Sequence, residues 1–410
     1  MDNLRFGRFA YDWREGVNLE RMRKERLEKT RQMMKKYELE ALICLDPANV
    51  RYITSTSTPP WMIRVPGWRY TILAKDAAPI LYEHGDIRHI TKQTCPWLEK
   101  VKFGYIWIRG QRGPETVWAA RIWAEDIKKE LEAYGVDKDS VGLDIHEALA
   151  VKSLKEIGIN VKDGQQPMID ARVIKTKDEI NCLKIASAIC EAILHAVQKA
   201  IKPGTTELEL VALGYKVGYA MGMEDIIGFT VCSGPNTWPN FKYYTDRIIR
   251  PGDIVTYDIG GASWLGYRTC YYRTFSCGRA SEKMKDFYKQ AYDWLYSAVK
   301  KIKPGATTAE VVADWPDATT EWGYESEWEA IANEWGHGLG LSLYEPPTLT
   351  KIWSIQYPFR LEENMALAIE TQQGTIKDGG VRIEEMMIVT SGGCEVISKY
   401  PVEEIIECPL

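Results

Sequence analysis

The apolar positions change period several times along the chain. ALICLDP (41–47), YTILA (70–74) and APILYE (78–83) are short runs with the character of strands, the last two joined across Lys75–Asp76. A helical period occupies about 117–133, and VGLDI (141–145) and GINVKD (158–163) again read as strands, so the first half alternates α and β. Ahead of them, the basic run Arg21–Lys36 alternates with Glu and carries Leu19, Met22, Met33, Met34 and Tyr37 near helical spacing, which predicts an amphipathic surface helix. From Lys177 a long helix is predicted to about Ile201, with Leu183, Ile189, Ile193 and Val197 on one face.

That helix stops at IKPG (201–204), and Thr206 with Glu209 forms the signature of a capping box opening the next helix. The same punctuation recurs at IKPG (302–305) with Thr307 and Glu310. Each copy precedes a strand that ends in a carboxylate: DIVTYD (253–258) in Asp258 and NMALAIE (364–370) in Glu370. The repetition predicts an internal duplication, two helix-and-strand halves facing each other across a pseudo-twofold axis. A chain of 410 residues also exceeds what one core usually serves. Two domains are therefore expected, 1–168 and 169–410.

With 45% apolar and 27% charged residues, the composition is that of a folded globular protein. A net charge of −5 argues against nucleic acid as a partner, since binding it needs clustered Lys and Arg on the phosphates. The start, MDNLRFGRFAYDW, lacks the pattern of a signal peptide, and no stretch approaches the ~18 apolar residues of a spanning helix. No membrane association is expected, and the cytoplasm is the expected location. Nine cysteines with no CxxC pair read as reduced thiols. The 15 Trp and 22 Tyr exceed what packing asks for, and some are expected in a binding site.

Strand alternation places Ile254, Thr256 and Asp258 on one face, as it does Ala366, Ala368 and Glu370, and Arg382, Glu384 and Met386. Small Ala366 and Ala368 leave space beside Glu370. Three carboxylates converging in a pocket repel one another unless they are protonated, bound to metal or neutralised by a cationic ligand.

GHGLGL (336–341), YEPP (344–347), ALAIETQQG (366–374) and GVRIEEMMIVTSGGCEVIS (380–398), preceded by CSGPNT (232–237), IRPGDIVTYDIG (249–260) and GYRTCYYRTF (266–275), resemble the creatinase/aminopeptidase P/methionine aminopeptidase superfamily in type, order and spacing. RMRKERLEKTRQMMKKYELEALICLDPANVRYIT (21–54) resembles the first domain of its creatinase-type members, particularly the dimethylsulfoniopropionate lyases. The resemblance implies an α/β creatinase-type N-terminal domain followed by an α+β pita-bread catalytic domain. It places Asp258, His337, Glu370 and Glu384 at the family's metal positions. Carboxylates with one imidazole suit Mn, Fe, Co or Zn. A homodimer is expected on the same ground.

The departures from the family pattern bear on function. The carboxylate that bridges two metals in peptidases falls on Cys270, which cannot bridge with two oxygens, so one metal ion or none is expected rather than two. The histidine after SGxNT falls on Asn240, and that of IHEPP on Tyr344. Only five histidines occur, His84, His89, His146, His195 and His337, and His195 on the long helix is expected to pack or face solvent. The groups left for chemistry are His337, Glu370, Glu384, Tyr344 and Cys270, with Tyr271, Tyr272, Arg273 and Glu345 nearby. Cys270 is open to three roles: thiolate ligand, nucleophile or buried thiol. Tyr271 and Tyr272 face opposite ways, so one at most looks inward. Trp238, Asn240, Trp264 and Tyr272 are candidate substrate contacts, and Trp61, Trp68, Trp238, Trp264 and Tyr344 could box an onium head group. The expectation is a small-molecule hydrolase or lyase acting on a cationic or zwitterionic carboxylate, creatinase-like or dimethylsulfoniopropionate-lyase-like. The alternatives are a metal-dependent Xaa-Pro dipeptidase or aminopeptidase and a non-catalytic binding protein.

Overall fold

The computed structural model describes residues 16–60, 62–63, 65–107, 112–239, 241–330 and 335–410. Trp61 and Asn240 lie outside them. The chain divides into two compact units, Asn18–Arg172 and a second that runs from Val173 to Leu410 and takes in Val17.

The first unit contains, in order, α1 (Leu19–Lys36), β1 (Ala41–Cys44), α2 (Pro47–Thr54), β2 (Tyr70–Ala74), β3 (Ile80–Glu83), α3 (Arg88–Thr94), β4 (Lys100–Phe103), α4 (Thr116–Ala133), β5 (Ser140–Leu143), α5 (Ala148–Glu156) and β6 (Asn160–Asp163), with α6 (Gln165–Val173) at its end. Its six-stranded sheet runs β4-β3-β2-β1-β5-β6. Strands β1, β2 and β3 are buried throughout, as continuous apolar runs require when both faces are covered. Tyr70 stacks on Tyr82 at 4.5 Å, and Trp107 packs on Trp123 at 4.8 Å, inside this core. In α1 the buried face is Met22, Arg26, Thr30 and Met34, while Leu19 is exposed. The face is more polar than the apolar spacing predicts because Arg26 finds the Ser55 hydroxyl at 2.6 Å and the Tyr52 ring.

The second unit opens with α7 (Lys177–Ala200) and α8 (Glu207–Ala220), then β7 (Gly228–Ser233), β8 (Ile254–Gly260), β9 (Ser263–Trp264), β10 (Tyr267–Arg268) and β11 (Tyr272–Cys277). Next come α9 (Glu282–Val299), α10 (Thr308–Val312), β12 (Gly336–Gly338), β13 (Glu345–Leu349), β14 (Ala366–Thr375), β15 (Gly379–Thr390), β16 (Gly393–Val396) and β17 (Ile406–Cys408), with shorter helices between. By length and hydropathy α7 alone among the described residues would pass for a membrane span. Its Leu183, Ile189, Ile193 and Val197 are instead buried in the unit's core.

The expected duplication is present in detail. Capping boxes form at Thr206–Glu209 and at Thr307–Glu310. Isolated bridges join Thr206 to Ile248 and Thr307 to Arg360. The N–H of Gly204 donates to Ile249 O and that of Gly305 to Leu361 O, with the return bonds from Ile249 to Thr205 and from Leu361 to Ala306. The same number of positions separates Ile248 from Arg360 as Asp258 from Glu370, so the two carboxylates are equivalent in the repeat. One half builds the sheet β17-β11-β8-β7, the other β13-β12-β14-β15-β16. The sheets are tied where Thr274 Oγ1 donates to Arg382 O at 2.6 Å and accepts from Arg382 N at 3.0 Å.

Candidate active site

Register brings the chemistry together. Asp258 on β8 pairs with Thr230 on β7 and with Tyr272 on β11. Glu370 on β14 stands directly opposite Glu384 on β15, and His337 on β12 opposite Ala368. Cys270 lies in the short connection between β10 and β11. Asp258, Cys270, His337, Glu370 and Glu384 are all buried. Like charges directly opposite in a ladder destabilise it, so the Glu370–Glu384 pair calls for a counter-charge.

Arg382 supplies one. Its Nε and Nη2 donate to the two Glu370 oxygens at 2.7 and 2.6 Å, Nη1 donates to Gln372 at 3.2 Å, and the guanidinium lies 4.9 Å from the Tyr272 ring centre. Neither oxygen of Glu384 has a hydrogen-bond partner, nor does Oδ1 of Asp258. Burial, with Glu370 next, pushes Asp258 up to about 8; the Arg382 charge and bonding to Tyr272 and Thr230 only partly offset this. The same two causes hold Glu384 well above the usual carboxylate range. Burial, followed by Glu384, raises the Cys270 thiol well above its ordinary value. His337 is pushed down by burial, against the Gly338 carbonyl 3.0 Å from its Nδ1.

Ligand atoms of Cys270, His337 and Glu384 all lie within 4.8 Å of one another. A thiol, an imidazole and a carboxylate without hydrogen bonds, each deprived of water, fit one divalent ion of borderline softness such as zinc, iron or cobalt. Asp258 and Glu370, which the family pattern also places on metal, are outside this three-donor cluster, and Glu370 is occupied by Arg382. The glycines of GHGLGL admit this packing. A Cβ on Gly338 would come within 2.2 Å of Pro346 O, and one on Gly340 within 2.4 Å of the Glu345 carboxylate.

The remaining candidates separate. Tyr344 is 63% exposed, its ring 4.6 Å from that of His337. Tyr272 is the inward tyrosine of the pair, while the Tyr271 hydroxyl is turned to another segment and accepts from Tyr400 N at 2.8 Å. Arg273 is structural rather than chemical: fully buried, it donates to Glu385, to Glu384 O and to Tyr400 O. Glu345 is likewise structural, in a buried pair with Lys175 at 2.7 Å. Trp238 lies over Gly374 and Gly380 at the turn end of the β14–β15 hairpin, its ring 6.1 Å from Trp322. Trp264 sits in β9 opposite Tyr267, and Trp68, in the first unit, stacks on His84. His195 is exposed, its ring edge-on to Tyr400. Arg382 is a site residue to which the sequence pattern assigns no role. Its place on the inward face with Glu384 is the available signal, and its bond to Glu370 emerges only once the hairpin register is known.

Residues 26–174 match the creatinase/prolidase N-terminal domain, and residues 181–391 match metallopeptidase family M24. The Xaa-Pro dipeptidase of Pyrococcus furiosus is 27% identical over 92% of this chain and 98% of its own. The dimethylsulfoniopropionate lyase DddP of Roseovarius nubinhibens is 24% identical over 98% of this chain and 91% of its own. Among solved structures, the prolidase from Thermococcus sibiricus superposes with a TM-score of 0.74 at 23% identity, covering 94% of this chain and 99% of that one. Motifs, duplicated fold and matched residues agree: the chain belongs to metallopeptidase family M24, with the two-domain pita-bread architecture of the prolidases and aminopeptidases P.

Proposed function

We propose that this protein is a non-peptidase member of its family, a hydrolase or lyase that acts on a small cationic or zwitterionic carboxylate at the Cys270–His337–Glu384 cluster. The observation that carries the reading is the excess of buried acid over base. Asp258 and Glu384 present oxygens without hydrogen bonds, while the Arg382 guanidinium on the same face is already committed to Glu370 and that of Arg273, behind the strand, to Glu385. Such a pocket is made neutral by one bound cation together with a cationic substrate group. Cys270, where peptidases bridge two metals with a carboxylate, limits the site to one ion.

A divalent ion held by Cys270, His337 and Glu384 would supply Lewis acidity. The chain's own residues do the rest. Arg382 holds both oxygens of Glu370 and fixes them in place. Asp258, bonded to Tyr272 and with Oδ1 free of hydrogen bonds, holds its own proton in the metal-free site; once a bound cation displaces that proton, it is the carboxylate available to accept one from the substrate, such as an acidic one beside a substrate carboxylate. His337, kept neutral by burial, presents a lone pair rather than a charge. Similarity to a dimethylsulfoniopropionate lyase over nearly the whole chain supports the substrate class.

Similarity to the Pyrococcus Xaa-Pro dipeptidase favours a second reading, cleavage of dipeptides before proline. Peptide hydrolysis needs a proton donor for the departing nitrogen, and in the sequence Asn240 and Tyr344 take the positions of the family's histidines. Loss of a general acid or base typically costs ~100- to 10,000-fold in rate. Side-by-side turnover of Xaa-Pro dipeptides and a panel of onium and guanidino carboxylates, with the metal varied, separates the readings. Turnover of at least one panel member with feeble peptidase activity is expected. Dipeptide cleavage at kcat/KM above about 10⁴ M⁻¹s⁻¹, with nothing from the panel, would replace this reading by the second.

A further inference from the structure

A cavity of about 1040 Å³ opens between α7, α9 and the segment 399–407, all within the second unit, and none of the cluster residues lines it. Its size is at the upper end of ordinary ligand pockets, roughly 300–1,000 Å³. Its walls include Tyr288, Tyr292 and Tyr400, with Glu191, Glu403 and Glu404 among them. We propose that this cavity is a second ligand site, separate from the active site, for an organic ammonium compound with an apolar body.

The charge pattern selects the sign of the ligand. Lysines also line the cavity: Lys289 is paired with Asp293 at 2.5 Å and Lys285 with Glu407 at 3.3 Å, which leaves the one ammonium of Lys399, near Glu191, against the three carboxylates of Glu191, Glu403 and Glu404. Glu191, Glu403 and Glu404 form no ion pair among the described residues. Glu191 accepts from the Lys399 N–H at 2.8 Å, and its half-burial holds its pKa above the ordinary value. Carboxylates outside any ion pair, set beside tyrosine faces, attract a cation through both charge and ring quadrupole.

The cavity also stands back to back with the catalytic strands. Tyr272 and Glu384 face the cluster, and the next residue on each strand, Arg273 and Glu385, faces the other way. These two form a fully buried pair at 2.9 Å, and the Tyr296 hydroxyl of α9 donates to Glu385 at 3.0 Å. Glu191 and Tyr288 of the cavity wall both feel the charges of Arg273 and Glu385. Arg273 in turn donates to Glu384 O at 2.6 Å.

The test is calorimetric titration of the full chain with benzyltrimethylammonium chloride, which carries a cation and a ring but no carboxylate. One saturable equivalent is expected, retained in Glu384→Gln and weakened at least about tenfold, the ~1.4 kcal/mol of one lost favourable contact, in both Glu191→Gln and Tyr292→Ala. These two side chains are partly exposed, and Glu404→Gln, at an exposed position of the cavity wall, gives a third variant that is expected to weaken binding without threatening folding. No saturable binding at millimolar concentration, or binding lost in Glu384→Gln but not in the cavity variants, would overturn the proposal. Failure of the onium panel as substrates would leave it standing, since the two sites are read out by different variants.

Discussion

Glu384 is buried in full, faces Glu370 across the ladder and accepts no hydrogen bond through either oxygen. Because Asp258 and Glu384 are held above their ordinary values, the metal-free folded protein keeps protons that the unfolded chain releases above about pH 4. Its stability is therefore expected to fall as pH rises from about 4 toward 8. Glu384→Gln should flatten that fall and raise the melting temperature in chelator near pH 8 while abolishing activity; parallel melting profiles for the two proteins would count against the assignment. Arg382→Met leaves Glu370 buried without its partner and is expected to cost about 3–5 kcal/mol in urea unfolding. At this scale the period-two pattern is enough to put Asp258, Glu370 and Glu384 on inward faces. The pairing of Arg382 with Glu370 is not legible, because it is a diagonal contact set by the cross-strand register, in which Gln372 is the residue opposite Arg382. Nor does the sequence point to the partners of Arg273 and Glu345. Glu385 and Lys175, which bind them, are far away along the chain.

Capping boxes mark the starts of α8 and α10 in the sequence itself, since Thr and Glu three residues apart satisfy two helix-end donors locally. Helices α2, α3 and α5, of 8, 7 and 9 residues, span too few turns to display a period, so apolar spacing does not reveal them. The face of α1 departs from its apolar spacing because a buried arginine does not register as apolar. Packing of α8 on its sheet depends on Gly214, where a Cβ would lie 2.2 Å from the Tyr257 hydroxyl and 2.7 Å from Phe229. Gly214→Ala is expected to lose about 1–3 kcal/mol by overpacking, measured as a lower urea midpoint with an unchanged slope. Equal stability would mean that α8 shifts freely on the sheet.

The two halves of the second unit carry matching bridges and matching carboxylates, and the insertion that separates their numbering falls in connections, which is why the duplication is legible from residue spacing. The aromatic surplus is a poorer guide. Trp107 and Trp123 fill the core of the first unit, and Trp315, Trp335 and Trp322 stack one on the next at 5.1 and 5.2 Å in the second, so much of the surplus is packing. What sets this site apart from the family pattern is the single thiol at the centre of a carboxylate cluster. The most direct measurement is metal content after reconstitution of the whole protein with excess zinc, cobalt or manganese and gel filtration. One retained equivalent per chain is expected, lost in His337→Ala and Glu384→Gln, and rising toward two in Cys270→Asp, which restores the second carboxylate. Two equivalents retained by the unaltered protein would contradict the account.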